Sequence, residues 1–143
     1  MILLDTNVIS ELMRAAPDPA VLDWFGQQTA LDLHLSAVSE AELRRGVAIL
    51  PEGRRRDALQ SAVNAMVAED FADRVLPFDG PAAVAFAAIF AERRAVGRPI
   101  GFPDCQIVAT ARARGAAVAT RNVEDFEGCG VEVVNPWVKA SDG

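Results

Sequence analysis

Three carboxylates in this sequence stand where an aliphatic, strand-like run gives way to a helix, a placement suited to holding a hard divalent cation. Asp5 directly follows Ile2-Leu3-Leu4. Glu42 lies early in the helical stretch after Leu33-His34-Leu35, and Asp104 lies in the first turn of a helix opened by Pro103. Asp104 shares its helical face with Ile107, Val108 and Ala111, so it is an acid on an apolar stripe. Singly, each acid has an ordinary explanation. Asp5 can N-cap the first helix, Ser39-x-x-Glu42 spells a capping box, and Asp104 can oppose a helix dipole. Jointly, acids that gather at one edge of one sheet repel each other unless a cation is present or their pKa values rise. Oxygen ligands without histidine or cysteine suit Mg²⁺ or Mn²⁺.

Little else in the chain competes for a chemical role. The single histidine, His34, sits in a strand-like apolar stretch and reads as a core residue. Only Cys105 and Cys129 occur, with no Cys-x-x-Cys pair or Cys/His cluster, so thiolate zinc sites and Ser-His or Cys-His catalysis are poorly supplied. Cys105 reads as a small packing residue and Cys129 as a loop thiol.

The elements that must position the acids alternate along the chain. Strands are expected at 2–4, 33–35, 75–78, 117–120 and 131–134. Pro77 confines the third of these to a short or edge strand. Helices are expected at 6–14, from Asp18-Pro19 onward, at 36–50, 52–73, 80–96 and 103–114, with a last short turn at 123–126. Strands separated by helices need crossovers, so the expected fold is three-layer α/β/α around a mainly parallel, twisted, five-stranded sheet. In such sheets ligands bind at the carboxyl ends of strands. Asp5-Thr6-Asn7 and Thr120-Arg121-Asn122 both fall there.

At 143 residues the chain is expected to form one domain over 1–143. The longest uncharged apolar run, 80–91, is too short for a membrane span. The amino terminus meets Asp5 before any long apolar stretch, so no secretory leader is expected and the setting is expected to be cytoplasmic. Net charge is −6, which disfavours non-specific attraction to a polyanion and leaves any nucleic-acid chemistry to local basic patches or screening metal ions.

Taken in order, Leu3-Leu4-Asp5-Thr6-Asn7, Leu35-Ser36 with Glu42-Leu43-Arg44-Arg45-Gly46, Asp104 with Ile107-Val108-Ala109-Thr110-Ala111, and Thr120-Arg121-Asn122-Val123-Glu124-Asp125-Phe126 resemble the PIN-domain ribonucleases. Within that family the resemblance is to toxins of the VapC and FitB type, and it extends to Asn135-Pro136-Trp137. It implies a metal-dependent endoribonuclease, the toxin of a type II toxin–antitoxin pair, leaving 5′-phosphate and 3′-hydroxyl ends. Asp5, Glu42 and Asp104 correspond to the first three acids of the family's metal site. Mg²⁺ or Mn²⁺ is then held by Asp5 and Asp104, with Glu42 bound directly or through water. The fourth acidic position departs from the pattern: Asn122 follows the Thr-Arg pair where relatives often carry aspartate, and Asp125 stands three residues on. Asn122 can ligate through its carbonyl or hold a water, or Asp125 can swing in. Thr6, Asn7, Ser36 and Thr120 are expected to orient the carboxylates by hydrogen bonds.

Phosphate contacts are expected from Arg44, Arg45, Arg54, Arg55, Arg56 and Arg121, with a plain solvated face the alternative for the Arg54–Arg56 run. No base-stacking platform is evident, so selection by RNA shape and single-stranded loops is expected. The resemblance also implies a homodimer, with the alanine-rich stretch 82–91 offering small residues for close packing. It further implies a small antitoxin whose segment lies in an apolar groove formed partly by Trp24 and Phe25 with the helix at 43–50. Two other readings stay open on the residues alone. A phosphotransfer domain also places aspartate after strand one, but it needs Asp-x-Asp or a paired acid plus a lysine, and the only lysine is Lys139. A non-catalytic interaction module would use these acids only as caps.

Overall fold

The computed structural model describes residues 1–139. Five strands, β1 (Ile2–Leu4), β2 (Leu33–Ser36), β3 (Val75–Leu76), β4 (Ala117–Ala119) and β5 (Val133–Val134), form one sheet in the order β3-β2-β1-β4-β5. Every neighbouring pair is parallel. Seven helices connect them among the described residues: α1 (Thr6–Leu12), α2 (Pro19–Gly26), α3 (Ala37–Ala48), α4 (Arg54–Ala65), α5 (Gly80–Ala95), α6 (Phe102–Arg114) and α7 (Val123–Phe126). This is the expected three-layer α/β/α arrangement. Among the described residues no helix is long and apolar enough to cross a membrane.

Both faces of the sheet are covered, so the central strands alternate between two cores rather than between core and water. Leu3 and Val118 enter one core with Ile89 of α5, Ile107 and Val108 of α6 and Phe126 of α7. Leu4 and Ala119 enter the other with Val8 and Ile9 of α1, Leu35 and Phe71, flanked by Trp24 of α2 and Leu43 of α3.

Several elements are shorter than their sequence signals. β3 stops at Leu76 because Pro77 has no N–H to continue the ladder. The expected helix 52–73 begins only at Arg54 and widens after Ala65 into a π turn, Met66–Asp70, before the chain reverses at Phe71. Cys129 is not a loop thiol in the solvent-facing sense: it is buried and lies 3.4 Å from Nη1 of Arg93.

Arg93 is the least expected member of this core. Although it sits in the last turn of α5, where a cation suits the helix dipole, only 6% of it is exposed. Its Nη1 donates to the carbonyls of Asp125 (2.8 Å) and Glu127 (3.0 Å), and its Nε to the carbonyl of Arg98 (2.7 Å). It thereby ties the loop around α7 to α5. Replacing it removes three hydrogen bonds of a buried guanidinium, so Arg93→Met is expected to lower unfolding free energy by about 1–3 kcal/mol in urea titration.

Candidate active site

The register of the sheet brings the acidic loops together. Leu4 pairs with Leu35 on one side and Ala119 on the other, so the next residues, Asp5, Ser36 and Thr120, fall in one row at the carboxyl edge. The chain runs outward from β1 through β2 to β3, then returns to the opposite side of β1 as β4. The crevice between the ends of β1 and β4 is therefore the topological switch point, where connections leave in opposite directions and ligands find room.

Asp5 is buried at this point. Its Oδ1 accepts the Thr6 N–H at 2.7 Å, and its Oδ2 accepts the Thr120 hydroxyl at 2.8 Å. The capping role is thus real, yet it occupies only one oxygen. Asn7 donates from Nδ2 to Thr120 Oγ1 (3.3 Å) and accepts the Arg121 N–H on Oδ1 (3.3 Å), locking the end of β4 against α1. The Asn122 N–H donates to the same Thr120 Oγ1 at 3.1 Å.

Glu42 is not part of a capping box. The N-cap of α3 is Ser36, whose hydroxyl accepts the Ser39 N–H at 2.9 Å. This leaves Glu42 in the second turn, where its Oε1 accepts the Thr6 hydroxyl at 2.9 Å. The Ser39 hydroxyl also lies 2.9 Å from Thr6 Oγ1. Ser36 consequently sets the start of α3 rather than touching a carboxylate, and Ser39, expected only as a helix cap, instead takes part in the polar network.

Asp5, Glu42, Asp104 and Asn122 line one cavity of about 510 Å³ with Thr6, Asn7, Ser10, Glu11, Arg14, Arg121 and Trp137. Asp125 does not line it, but its charge is felt there. Burial, then Asp5, Asp125 and Glu42, push the Asp104 carboxyl up to about 6. Burial also raises the Asp5 carboxyl, opposed by the Thr120 and Thr6 hydrogen bonds and reinforced by the charges of Glu42 and Asp125. The expected mutual repulsion of these acids is therefore present. Among the described residues, however, no three acidic, histidine or cysteine side chains stand close enough to hold one ion together. The donor set suits a cation bound by one or two carboxylates with water completing its shell, the usual manner of Mg²⁺.

The arginines are sorted differently from the expectation. Arg44 is engaged by Glu40 (2.8 Å) and Asn64 (2.7 Å), and neither it nor Arg45 lines the acidic cavity. Arg54 and Arg55 are exposed on α4, while Arg56 lines a separate small cavity with Arg44. Arg121 does reach the acidic cavity, and so does Arg14, whose Nη1 donates to the buried Glu11. One signal could have found the latter pair. Asn7, Ser10, Glu11 and Arg14 recur at helical spacing, the first three on the polar face that α1 turns toward the acids and Arg14 just past its end.

The opposite face of α1 borders the apolar groove. That cavity, about 590 Å³, is lined by Ile9, Leu12 and Met13 with Phe25, Leu33, Met66 and Phe71 among others. Phe25 belongs to it as expected. Trp24 and the 43–50 helix do not, because Trp24 and Leu43 turn into the core under β1.

Since the Asp104 carboxyl rises from 3.8 to about 6 on folding, the folded chain takes up a proton between those values, and stability falls as pH rises through that window. Asp104→Asn is accordingly expected to be more stable than the parent at neutral pH, on the order of 1–2 kcal/mol after solvent screening. The advantage should shrink as pH falls toward 4, as read from urea midpoints across pH.

Comparison with known proteins agrees with this geometry. Residues 2–127 match the PIN domain family. The chain is 47% identical to the VapC ribonuclease Y4jK of Sinorhizobium fredii, over 98% of this chain and all of that protein. It is 42% identical to the toxin FitB of Neisseria gonorrhoeae, over 96% of this chain and 99% of the other. A solved structure of FitAB bound to an IR36 DNA fragment superposes with a TM-score of 0.94 at 39% identity, covering 100% of both chains. A buried aspartate at the end of the first strand, an acid on the third helix and another opening the sixth, all facing one crevice of a 3-2-1-4-5 parallel sheet, thus have an explanation in descent: the chain belongs to the PIN-domain family, alongside VapC and FitB.

Proposed function

We propose that this protein is a metal-dependent endoribonuclease, the toxin of a type II toxin–antitoxin pair, acting as one domain over residues 1–143. The observation that carries the reading is a carboxylate buried at a strand end, Asp5, lining one cavity with a second one, Asp104, both carboxyls being pushed up first by burial and then by neighbouring acids, Asp104 by Asp5 among them and Asp5 by Glu42 and Asp125. Such a pair is costly to the fold when bare and is relieved by a cation. A ribonuclease and a toxin among the relatives, and FitB's occurrence as FitAB on DNA, support the same reading.

In this mechanism Asp5 and Asp104 hold Mg²⁺ or Mn²⁺, which when bound supplies Lewis-acid stabilisation of the charge developing on the phosphoryl group. The Thr120 hydroxyl and Thr6 N–H keep Asp5 from rotating. Glu42, oriented by the Thr6 hydroxyl, acts through water. Its Oε2 is left to accept a hydrogen bond from the attacking water. Asn122 lines the same cavity, and Asp125 adds negative charge from outside it. Arg121 and Arg14 take the flanking phosphates. The apolar cavity beside α1 receives a segment of the antitoxin, a second copy of the chain completes the toxin, and the setting is the cytoplasm.

Asp5→Ala and Asp104→Ala are each expected to reduce RNA cleavage below about one-thousandth of the parent rate while the chain stays folded. EDTA should have the same effect on the parent. Mn²⁺ should raise the melting temperature of the parent by mass action and leave that of both variants unchanged. Cleavage retained by either variant in a clean preparation would overturn the assignment.

A further inference from the structure

The acidic cavity contains one aromatic side chain among its described lining, and phosphodiester hydrolysis gives it no task. Trp137 follows β5 in the turn Asn135-Pro136-Trp137, where Asn135 Oδ1 accepts the Trp137 N–H at 3.0 Å. β5 is parallel to β4, so this turn leaves the sheet at the same carboxyl edge as Asp5 and Thr120. Trp137 is half-buried, packing against the core that contains Leu4 and Ala119. The guanidinium carbon of Arg121 stands 5.3 Å from its ring centroid, within cation–π range. Arg121 is itself exposed, and among the described residues it forms no ion pair with a carboxylate. Both residues line the cavity that holds Asp5, Glu42 and Asp104.

From this juxtaposition we infer that Arg121 and Trp137 form a stacking subsite for one unpaired nucleobase of the RNA, next to the phosphate handled by the acids. The inference rests on the ribonuclease reading and adds to it a residue pair that contacts a base beside the cut. Three features carry it. A guanidinium and an indole within cation–π range of each other bring two planar groups to the same cavity, and bases stack on arginine planes and aromatic rings alike. The cavity, about 510 Å³, is of the size that takes a small ligand such as a nucleotide. A base inside an A-form helix is stacked between its neighbours and presents no face to a side chain, so the subsite can be filled only where the strand is open. The acids place the phosphate and carry no preference for paired or unpaired RNA. Trp137 supplies that preference, and Arg121 adds positive charge at an edge whose other cation, Arg14, is engaged by Glu11.

The test uses the two tryptophans of the chain. Trp24→Phe removes the indole that is packed in the core and leaves Trp137 as the sole emitter. In Ca²⁺, a short single-stranded RNA should quench its fluorescence. The same RNA annealed to its complement, and an abasic ribose-phosphate strand, should not. In parallel, Trp137→Leu should raise KM for single-stranded RNA about tenfold with kcat nearly unchanged, within the range that base–aromatic stacking contributes. Trp137→Phe should recover most of the loss, and Arg121→Lys, which keeps the charge but not the plane, should not. Melting temperatures of the variants separate a lost stack from a lost fold. Equal quenching by duplex or abasic RNA, or an unchanged KM in folded Trp137→Leu, would overturn the subsite and leave the nuclease reading standing. Quenching by single-stranded RNA in a parent that cuts no RNA would overturn the nuclease reading and leave the subsite standing.

Discussion

The site depends on a buried carboxylate that is held still while being denied a counter-charge from the protein. Asp5 loses hydration at the end of β1, and among the described residues two neutral donors, the Thr120 hydroxyl and the Thr6 N–H, compensate it. An arginine in place of either donor would satisfy Asp5 more fully and close the site, because a paired carboxylate has little left to offer a cation. Hydroxyls fix direction without neutralising charge. Thr6 serves both sides, giving its N–H to Asp5 and its hydroxyl to Glu42, so the first residue of α1 couples the first two acids of the cluster. Asp104 receives no such help: every influence on its carboxyl acts upward. The stability this arrangement withholds from the fold is available to whatever cation the acids bind.

Much of this was legible in the sequence because parallel α/β folds write their sites in order. A strand-like run, an acid and a helix recur at Asp5 and, less directly, at Glu42, and the helix opened by Pro103 carries its acid on an apolar stripe. Those patterns sufficed for the sheet, the layers and the three acids. Ser39-x-x-Glu42 misled for a local reason. Ser36 is both the last residue of β2 and the cap of α3, so the true cap is hidden in the strand and the next serine looks like the start. Which of Trp24 and Phe25 faces outward depends on how α2 settles against α1, a tertiary matter that spacing does not fix. Arg93 was invisible for a different reason. Its partners are backbone carbonyls, which every residue possesses, so no second letter in the sequence marks the pairing.

Helix α1 performs two separations at once. Its apolar face closes one core and one wall of the groove, while its polar face, from Asn7 to Glu11, walls the acidic cavity. Two turns of helix therefore stand between an apolar surface and a strongly acidic one. Glu11, buried on the polar side, is satisfied by Arg14 and by the Asp18 N–H, so the helix's far end is anchored to the start of α2. The position of α1 is thus set at both ends, by β4 through Asn7 and Thr120 and by α2 through Glu11 and Asp18.

The pairing of β1 with β4 also has a consequence in time. The hydroxyl that orients Asp5 belongs to a residue 115 positions later in the chain. Synthesis proceeds from the amino terminus, and long-range parallel pairing must wait for its distant strand. In a growing polypeptide Asp5 therefore stays without the partner that orients it until β4 has been made, and the acidic cavity is among the last features of the fold to come together.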